Sequence, residues 1–457
     1  MKKTDEELAA KIEKLRKRIE DELNEESPLS KMELSVEEEK RKLGQRMMDE
    51  KLNGFPVEDG QPRPCPKCKM MVNVRAKNVP RTFRSLSGEH SFRRNYHYCN
   101  SCNEGFYPRD AEIGLPKDAE VSDEMAKRLA DFFLNDPYET AEERWTVHYP
   151  HTPVSSNQFR QEAERIGEKL EFADESVLAS ALQPLTAAKP DILYVQNDGT
   201  MVSMRGKLWR EVKGAVIFSS EKHCRRTKSK RGKIMGAHYV AVLGDQEAFI
   251  RVLRPTLKVA NMMKAKRVVW IADGAKGNWL LARRMCPLAT HILDWFHAIE
   301  HASDCAKVLF GDADPCVKLF VNQVEQLLRT GQLKQCLKEL RQLIEMVPNG
   351  QPLKAVTELI RYYRENQCRM QYDRYLADGL LIGSGPIEAA HRHVIQTRMK
   401  KAGQHWGERG GRCMARMRAA YRTAGPERFL KAINWAYRET RTYGRLPKPL
   451  KRRASNR

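Results

Sequence analysis

Two short apolar runs, each followed closely by Asp-Gly, constrain the fold of this chain more than any other feature. The first is Ile192–Val195 before Asp198, and the second is Val268–Ala272 before Asp273. A run of β-branched and aromatic residues that gives way to Asp-Gly predicts a buried strand ending in a loop. The two motifs therefore predict a sheet with an aspartate at the end of two strands, although Asp-Gly alone is also common in simple turns.

A third carboxylate stands in an equally specific context. Glu388 follows the glycine-rich segment Gly383–Ile387, which opens a basic helix. Two strand-end aspartates and a glutamate on a helix can converge on a pair of divalent cations, which activate a water or hydroxyl against a phosphodiester. Asp198, Asp273 and Glu388 are therefore the predicted catalytic residues and the predicted ligands of two Mg²⁺ or Mn²⁺ ions.

The charge balance favours a polyanionic partner. The 457 residues include 81 Lys and Arg against 59 Asp and Glu, a formal net charge of +22, and phosphates neutralised by a protein release counterions. No apolar run approaches the roughly 20 residues that span a bilayer, and the first residues lack the apolar core of a signal peptide. We therefore expect a cytoplasmic, nucleoid-associated protein without a membrane partner.

Eleven cysteines, an odd number without a signal peptide, indicate thiols and metal ligands rather than disulfides. Two Cys-x-x-Cys pairs, Cys65 with Cys68 and Cys99 with Cys102, are separated by 30 residues. Each such turn can present two thiolates to one ion, and tetrahedral zinc needs four ligands. The pairs predict a module with one structural Zn²⁺, with a hairpin between the pairs and His97 at the surface or in packing. A redox role, which needs a single such motif, fits less well.

A possible DNA-binding element follows the cysteine module. Residues Tyr138–Arg144 and Thr152–Phe159 resemble the two halves of a helix-turn-helix. Ser155 or Ser156 would cap the second helix, and an ordinary helical hairpin is nearly as good an interpretation. The residues expected to face a DNA groove are Gln158, Arg160 and Gln161.

Further strands are predicted on either side of Asp273. Val212–Phe218 and His238–Leu243 precede it, and His291–Asp294 follows it. With a first strand before these and the glutamate on a later helix, the order is that of an α/β RNase H-like fold with a mixed five-stranded sheet.

At this point the chain resembles bacterial insertion-sequence DDE transposases, specifically the Kra group, which are distantly similar to the Mutator type. The resemblance covers about Lys189 to Trp406 and extends less firmly back through the cysteine module. Its motifs are, in chain order, Asp198–Thr200, Trp209–Lys213, Asp273–Ala275, Asp294–His297, Gly383–Glu388 and Arg398–Trp406.

The resemblance implies a DNA transposase that binds terminal inverted repeats, cuts DNA with two metal ions and joins the released 3′ hydroxyl to target DNA. It implies a DDE triad of Asp198, Asp273 and Glu388, with a helical insertion before the glutamate. Pairing two DNA ends would require a homodimer or a larger assembly. Two alternatives stay open: an RNase H-like nuclease or resolvase, and a domesticated DNA-binding protein without transposition activity.

The resemblance also places Asp294 and His297 near the active site, where they would support the carboxylates or contact DNA rather than bind metal. The simpler interpretation is that Asp294 caps a helix with His297 in its first turn. Two basic groups are predicted to contact phosphates, although the first could be a solvated loop. They are Arg225, Arg226, Lys228 and Lys230 between two strands, and Arg392, Arg398, Lys400 and Lys401 on and after the Glu388 helix.

Composition and motifs together divide the chain into seven predicted segments. Leu8, Ile12, Leu15 and Ile19, at helical spacing, indicate a helical hairpin or short coiled coil, or equally a solvated charged helix. The segments are 1–53 (charged helices), 62–112 (zinc module), 114–186 (helical, possible helix-turn-helix), 189–301 (first part of the RNase H-like core), 302–377 (helical insertion), 378–425 (Glu-bearing part of the core) and 426–457 (basic tail).

Overall fold

The computed structural model describes residues 29–54, 59–117, 119–183, 189–225 and 232–443, together with residues 10, 12–14 and 17. The chain divides into two compact units, Met1–Glu162 and Ala163–Arg457. Of the apolar positions in the predicted amino-terminal helix, Leu8, Leu15 and Ile19 lie outside the described residues, as does the basic tail from residue 444. Within the described ranges, no helix is long and apolar enough to cross a bilayer.

The first unit combines helices with a small β-rich module. Its elements are, in chain order, α1 (Leu29–Asn53), β1 (Arg63–Pro64), β2 (Met71–Val72), β3 (Val74–Ser85), β4 (Gly88–Cys99), β5 (Glu104–Phe106), α2 (Pro108–Glu112), α3 (Asp123–Asn135), α4 (Tyr138–His148) and α5 (Ser156–Phe172), which continues past the division.

The antiparallel hairpin of β3 and β4 organises the β-rich module. His97 of β4 is buried and its ring stacks on that of Phe106, with centroids 5.3 Å apart, so the prediction of a packing role is confirmed. Asp49 of α1 lies against the hairpin, with its Oδ1 2.7 Å from Nδ1 of His90. The described buried apolar residues of this module form two small clusters, one of Leu52, Phe83, Phe92, Leu115 and Ala119 and the other of Cys65, Val72, Cys99 and Phe106.

Helices α3, α4 and α5 pack around the fully buried Trp145. Its ring contacts Phe132 of α3 and Phe159 of α5, at centroid distances of 5.5 and 6.0 Å. The two helices of the predicted pair are present, and Ser155 caps the second of them. Its Oγ accepts the N–H of Gln158 at 3.3 Å, and Oε1 of Gln158 accepts the N–H of Ser155 at 3.0 Å. This reciprocal capping box occupies an amide that was predicted to face a DNA groove.

The second unit is built on a mixed five-stranded sheet, which confirms the predicted sheet type and strand number. Its order is β10-β7-β6-β11-β12. The first three strands are antiparallel, while β11 and β12 run parallel to β6. The strands are β6 (Ile192–Met204), β7 (Leu208–Ser219), β10 (His238–Leu243), β11 (Arg267–Ala272) and β12 (Thr290–Leu293), with β8 (His223–Arg225) and β9 (Gly232–Ile234) forming a separate two-stranded ribbon.

One strand differs from its prediction. β6 continues through Asp198 to Met204, so Asp198 lies inside the strand and not at its end. Pairing with β7 places Asp198 opposite Gly214, and the chain reverses only near Gly206, where φ is 80°. The Asp-Gly pair belongs to a continuous ladder because β7 supplies hydrogen-bonding partners beyond it. Asp273, in contrast, directly follows the end of β11, as predicted.

Helices connect the strands and cover apolar side chains of the sheet. α6 (Glu175–Leu182) precedes β6, α7 (Gln246–Val259) joins β10 to β11, and α8 (Lys276–Met285) joins β11 to β12. Asp245 starts α7 because its side chain accepts the N–H of Ala248 at 2.7 Å, a typical N-cap. α7 and α8 contribute apolar side chains to a core that includes the fully buried Trp270 of β11.

Between β12 and the segment that carries Glu388, the chain is helical throughout. The helices are α9 (Trp295–Phe310), α10 (Pro315–Arg329), α11 (Leu333–Met346), α12 (Gln351–Asn366) and α13 (Tyr372–Ala377). The hydroxyl of buried Tyr363 donates to the carbonyl of Ala298 at 2.8 Å, and that of Tyr372 to Leu293 of β12 at 3.0 Å. These helices therefore share one core with the sheet.

The chain then returns to the sheet through α14 (Gly385–Ala390), a π-helical turn (His391–Gln396) and α15 (Thr397–Met399), followed by α16 (Glu408–Ala424) and α17 (Pro426–Tyr443). π-Helical turns are rare and occur often at functional sites. Buried Arg418 of α16 stabilises this one, since its guanidinium donates to the carbonyl of Val394 and to Oγ1 of Thr397, both at 2.8 Å.

Candidate functional site

Asp198 lies within β6, and Asp273 directly follows the neighbouring parallel strand β11. Ile271 of β11 pairs with Gln196 of β6 in the last pair of that ladder, and Asp273 and Asp198 each follow two residues later in the chain. Neighbouring strands are about 4.8 Å apart. Burial raises the pKa of Asp198 and outweighs the opposite effect of His391, and the charge of Asp273 raises that pKa further. Two like charges in such proximity make a site that favours a cation.

A chain of amide hydrogen bonds fixes the position of these aspartates. Nε1 of Trp270 donates to Oδ1 of Asn197 at 2.7 Å, and Nδ2 of Asn197 donates to Oδ1 of Asn278 at 2.7 Å. Nδ2 of Asn278 in turn donates to Oδ1 of Asp273 at 2.6 Å. Because Asn197 precedes Asp198 in β6, this chain connects the backbone of one aspartate to the carboxylate of the other.

Gln196 holds the turn that carries Glu388 against the central strand. Its fully buried amide donates from Nε2 to the carbonyl of Gly383 at 3.1 Å and accepts the N–H of Ile387 at Oε1, at 3.0 Å. Gln196 and Asp198 project from the same face of β6, since alternate residues of a strand share a face. The helix bearing Glu388 therefore begins over the face that carries Asp198.

The segment after Glu388 stays on this face. Nδ1 of buried His391 lies 3.7 Å from Oδ2 of Asp198, and burial lowers the pKa of His391 against the effect of Asp198. Gly214 makes room for the ring, because a Cβ there would lie 2.6 Å from Nε2 of His391. Further along, Nζ of Lys400 donates to Oγ1 of Thr200 at 2.6 Å.

Asp294 is fully buried and caps α9. Its Oδ1 accepts the N–H of Phe296 at 3.3 Å and that of Ser384 at 2.7 Å, and its Oδ2 accepts the N–H of His297 at 3.3 Å. Burial raises the pKa of Asp294. The side chain of His297 is 38% exposed. The geometry thus shows Asp294 as a helix cap that also fastens the turn leading to Glu388.

The predicted phosphate contacts after Glu388 do not share one environment. Arg392 and Lys400 are exposed and Lys401 is half-buried. Arg398 is fully buried, with its guanidinium 4.9 Å from the ring centroid of Trp406. A side chain without exposed surface cannot contact DNA, so the prediction for Arg398 is wrong. The π-helical turn before it adds a residue to the helix and rotates the following positions away from α-helical spacing.

The second predicted basic group lies between β8 and β9. Arg226, Lys228 and Lys230 are outside the described residues. Arg225 is described through its backbone, which pairs with Gly232. Contact of this group with DNA stays a prediction.

Several further residues, to which the sequence pattern assigned no role, lie around the carboxylates. Tyr362 of α12 packs against Gly274, next to Asp273, and its ring centroid is 3.9 Å from that of His301. Burial raises the pKa of the Tyr362 hydroxyl, and the charge of Asp273 raises it further. Among these residues, only Gln196 could have been noticed from the sequence, because its amide stands within the apolar run of β6. The residues without a predicted role are Gln196, Asn197, Asn278 and Tyr362.

The four cysteines of the predicted zinc module come together. Sγ of Cys65 is 4.0 Å from that of Cys102, and Sγ of Cys68 is 3.6 Å from that of Cys99. Thiolates placed tetrahedrally at about 2.3 Å from zinc would be about 3.8 Å apart. Although burial raises the pKa of Cys65, backbone N–H groups of Cys68 and Lys67 outweigh it and lower that pKa to about 7. The cluster can hold a metal ion such as zinc.

The carboxylates are arranged less tightly than the cysteines. Among the described residues, the cysteine cluster is the only group of three or more metal-ligating side chains whose ligand atoms lie within 4.8 Å of one another. Glu388 is exposed, and its Oε1 accepts the hydroxyl of Ser384 at 2.6 Å. Carboxylate oxygens are donors that Mg²⁺ and Mn²⁺ prefer. The residue types therefore suit those ions, although the carboxylates are not gathered as tightly as the cysteines and Glu388 is held by Ser384.

The fold and sites define a mixed α/β protein with a face of carboxylates and a four-cysteine cluster that could hold a metal. A family model matches residues 67–438, and the chain belongs to that family, the uncharacterised protein family UPF0236. No curated protein matches the chain. Among solved structures, the chain is similar to one in the Drosophila P element transposase strand transfer complex, with 12% identity over 73% of this chain and 83% of that chain. The TM-score of that match is 0.26, and so distant a likeness carries no argument.

Proposed function

We propose that this chain is a DNA transposase of the DDE type, which binds the terminal inverted repeats of an insertion sequence, cuts DNA and joins the ends to target DNA. The observation that carries the proposal is that Gln196, two residues before Asp198 in β6, holds the turn before Glu388, while the charge of Asp273 raises the pKa of Asp198. The sheet order, with three antiparallel strands followed by two parallel ones, is that of an RNase H-like fold and supports the same assignment. The motifs that resemble Kra-group transposases include all three carboxylates.

The chain's own residues would prepare the site for phosphodiester chemistry. Two Mg²⁺ or Mn²⁺ ions bound by Asp198, Asp273 and Glu388 would polarise the attacking and leaving oxygens of an in-line displacement. Asn278 fixes one oxygen of Asp273, and Gln196 fixes the start of the Glu388 helix. Water as the attacking group nicks DNA, and a released 3′ hydroxyl joins it to a new strand.

The remaining parts of the proposal concern the rest of the chain. The four cysteines would hold one structural Zn²⁺, α4 and α5 would contact DNA, and residues 302–377 would be an insertion in the catalytic core. The chain would comprise the seven segments predicted from its sequence. The exposed basic residues after Glu388 would neutralise phosphates beside the scissile bond, and two paired DNA ends would require at least a dimer.

The test uses the full-length chain with Mg²⁺ and duplexes that carry the inverted repeats flanking its gene. We expect cleavage followed by joining to target DNA. Asp198→Asn, Asp273→Asn and Glu388→Gln should each lower the cleavage rate about 10³-fold, since loss of a metal ligand removes several kcal/mol of transition-state stabilisation. Asp191→Asn is the matched control, because this exposed aspartate lies beside the start of β6 and pairs with Lys266.

The outcomes separate the competing functions. Cleavage without any joining would favour a nuclease or resolvase, and specific binding without cleavage would favour a domesticated DNA-binding protein. Unchanged cleavage in all three carboxylate variants would show that the triad is wrong.

A further inference from the structure

A basic cleft lies at the far end of β11 from the carboxylates. Arg267 begins β11 and Asp273 follows its end, and six residues of strand at about 3.3 Å each separate them by about 20 Å. The cleft has a volume of about 500 Å³, within the range of roughly 300–1,000 Å³ that is usual for ligand sites. The charged side chains and the histidine that line it are Arg267, Arg283, His291, Arg369, Arg374 and Asp378.

Most of the positive charge in this cleft is not balanced by carboxylates. Nη1 of Arg267 forms an ion pair with Oδ2 of Asp378 at 2.6 Å, which uses the only carboxylate of the lining. Within the part of the chain that the structure describes, Arg283, Arg369 and Arg374 have no carboxylate within 4.0 Å. Three guanidinium charges therefore converge on one concave surface.

Neutral groups hold two of these guanidiniums in place. Arg369 lies over the ring of Trp279, 4.4 Å from its centroid, and donates from Nη1 to Oδ1 of Asn366 at 3.1 Å. Arg374 donates from Nη1 to Oε1 of Gln371 at 3.3 Å. Guanidiniums that are oriented by uncharged neighbours keep their full charge for an anion.

The pKa of His291 is sensitive to the positive charge of the cleft. Burial lowers its pKa, and the charges of Arg369 and Arg283 lower it further. Its Nε2 is buried without a hydrogen-bond partner among the described residues. Two guanidiniums of the cleft lie close enough to His291 to act on its pKa.

We propose that this cleft is a second ligand site, which binds phosphate groups. Arginines favour phosphate because the planar guanidinium matches its oxygens in a bidentate arrangement. The phosphates would come from a nucleic acid backbone that runs about six base pairs beyond the carboxylates, at about 3.4 Å per base pair, or from a free nucleotide. The site depends on charge and shape alone and does not require the cleavage chemistry.

The experiment measures binding of the full-length chain to a labelled 30-base-pair duplex without divalent cations, over a range of salt concentrations. The variant Arg283→Ala/Arg374→Ala removes two charges from the cleft. Arg361→Ala/Arg364→Ala is the matched control, since it removes two charges from exposed positions of α12 that do not line the cleft. A second arm measures the shift in Tm caused by adenosine triphosphate, again without divalent cations.

We expect the cleft variant to bind DNA about tenfold more weakly per lost arginine at about 0.1 M salt. The negative slope of log K against log salt should become shallower by about 0.9 per lost phosphate contact. If DNA binding is unchanged but the Tm shift disappears only in the cleft variant, the phosphates belong to a free nucleotide. If cleft variant and control behave alike in both arms, the proposal is overturned. Since no cleavage is measured, this result is independent of whether the chain is a transposase.

Discussion

The cysteine cluster and the carboxylate face are assembled in opposite ways. The cysteines stand in two Cys-x-x-Cys turns, and their ligand atoms already lie within 4.8 Å of one another. The carboxylates stand on a central strand, after a neighbouring strand and on a distant helix, and they are positioned by other side chains such as Gln196 and Asn278. One site is arranged by local turns and a hairpin, and the other by contacts between residues far apart in sequence.

Because of this difference, substitutions at one site should affect the stability of the protein, and substitutions at the other should affect its activity. Among the described residues, the buried apolar cluster around the cysteines comprises only Cys65, Val72, Cys99 and Phe106, and a module with so small a core commonly needs a metal to stay folded. The carboxylate face belongs to a large core that includes the sheet and its helices. Changes at the first site should therefore affect folding, whereas changes at the second should affect chemistry and leave the fold in place.

The largest effect is expected from Cys99→Ser. The variant should lose its zinc and the folded structure of the cysteine module, since structural zinc contributes about 10–16 kcal/mol in small zinc-binding peptides. Metal content per chain and protease resistance of residues 59–117 measure this. Cys316→Ser, which changes an exposed cysteine of α10 outside the cluster, should keep both. A protease-resistant module in the Cys99→Ser chain would show that this module folds without the cysteine cluster.

An intermediate effect is expected from Gln196→Met, which removes both hydrogen bonds to the Glu388 turn. Cleavage should fall about 10- to 100-fold, because a displacement of about 1 Å in a catalytic group has a cost of that order. The free energy of unfolding should fall by about 1–3 kcal/mol, and the zinc content should not change. The measurements are single-turnover cleavage and urea unfolding.

Gln183→Met is the control for this variant. Nε2 of Gln183 also donates to a backbone carbonyl, that of Val259 at 3.2 Å. Its loss should lower stability without slowing cleavage. Equal cleavage rates for Gln196→Met and the unsubstituted chain would show that the carboxylate face does not depend on this amide.

The smallest effects distinguish two arginines of the same segment. Arg392→Ala should lower the slope of log K against log salt for DNA binding by about 0.9, since the side chain is exposed. Arg398→Met should leave that slope unchanged and lower the free energy of unfolding by about 1–3 kcal/mol, because the guanidinium is buried over Trp406. A shallower salt dependence of DNA binding in Arg398→Met would instead support the predicted contact of Arg398 with DNA.

Much of the fold could be predicted because its signals are local. The strand expected at His238–Leu243 has those bounds in the structure, since six consecutive residues there carry a clear β pattern. The convergence of the four cysteines also followed from short turns. The Asp-Gly signal was misleading at Asp198, because a strand continues wherever a neighbouring strand offers hydrogen bonds, and that neighbour is β7.

The features that could not be predicted depend on distant parts of the chain. No local pattern links Gln196 to Ile387, or His391 to Asp198, since these pairs meet only after the helices between β12 and α14 have folded onto the sheet. The burial of Arg398 depends likewise on a π-helical turn that Arg418 stabilises from another helix. Long-range polar contacts are set by packing, not by periodicity.

Residue chemistry and patterns only a few residues long were enough to identify the candidate ligands, the four cysteines and the number of strands in the five-stranded sheet. The tertiary structure alone decided which side chains orient the carboxylates, which arginines reach solvent and where a basic cleft forms. The physical reason is that hydrogen bonds and burial depend on distances through space. In the cysteine turns, neighbouring residues of the chain set these distances. At the carboxylates, only the assembled core sets them.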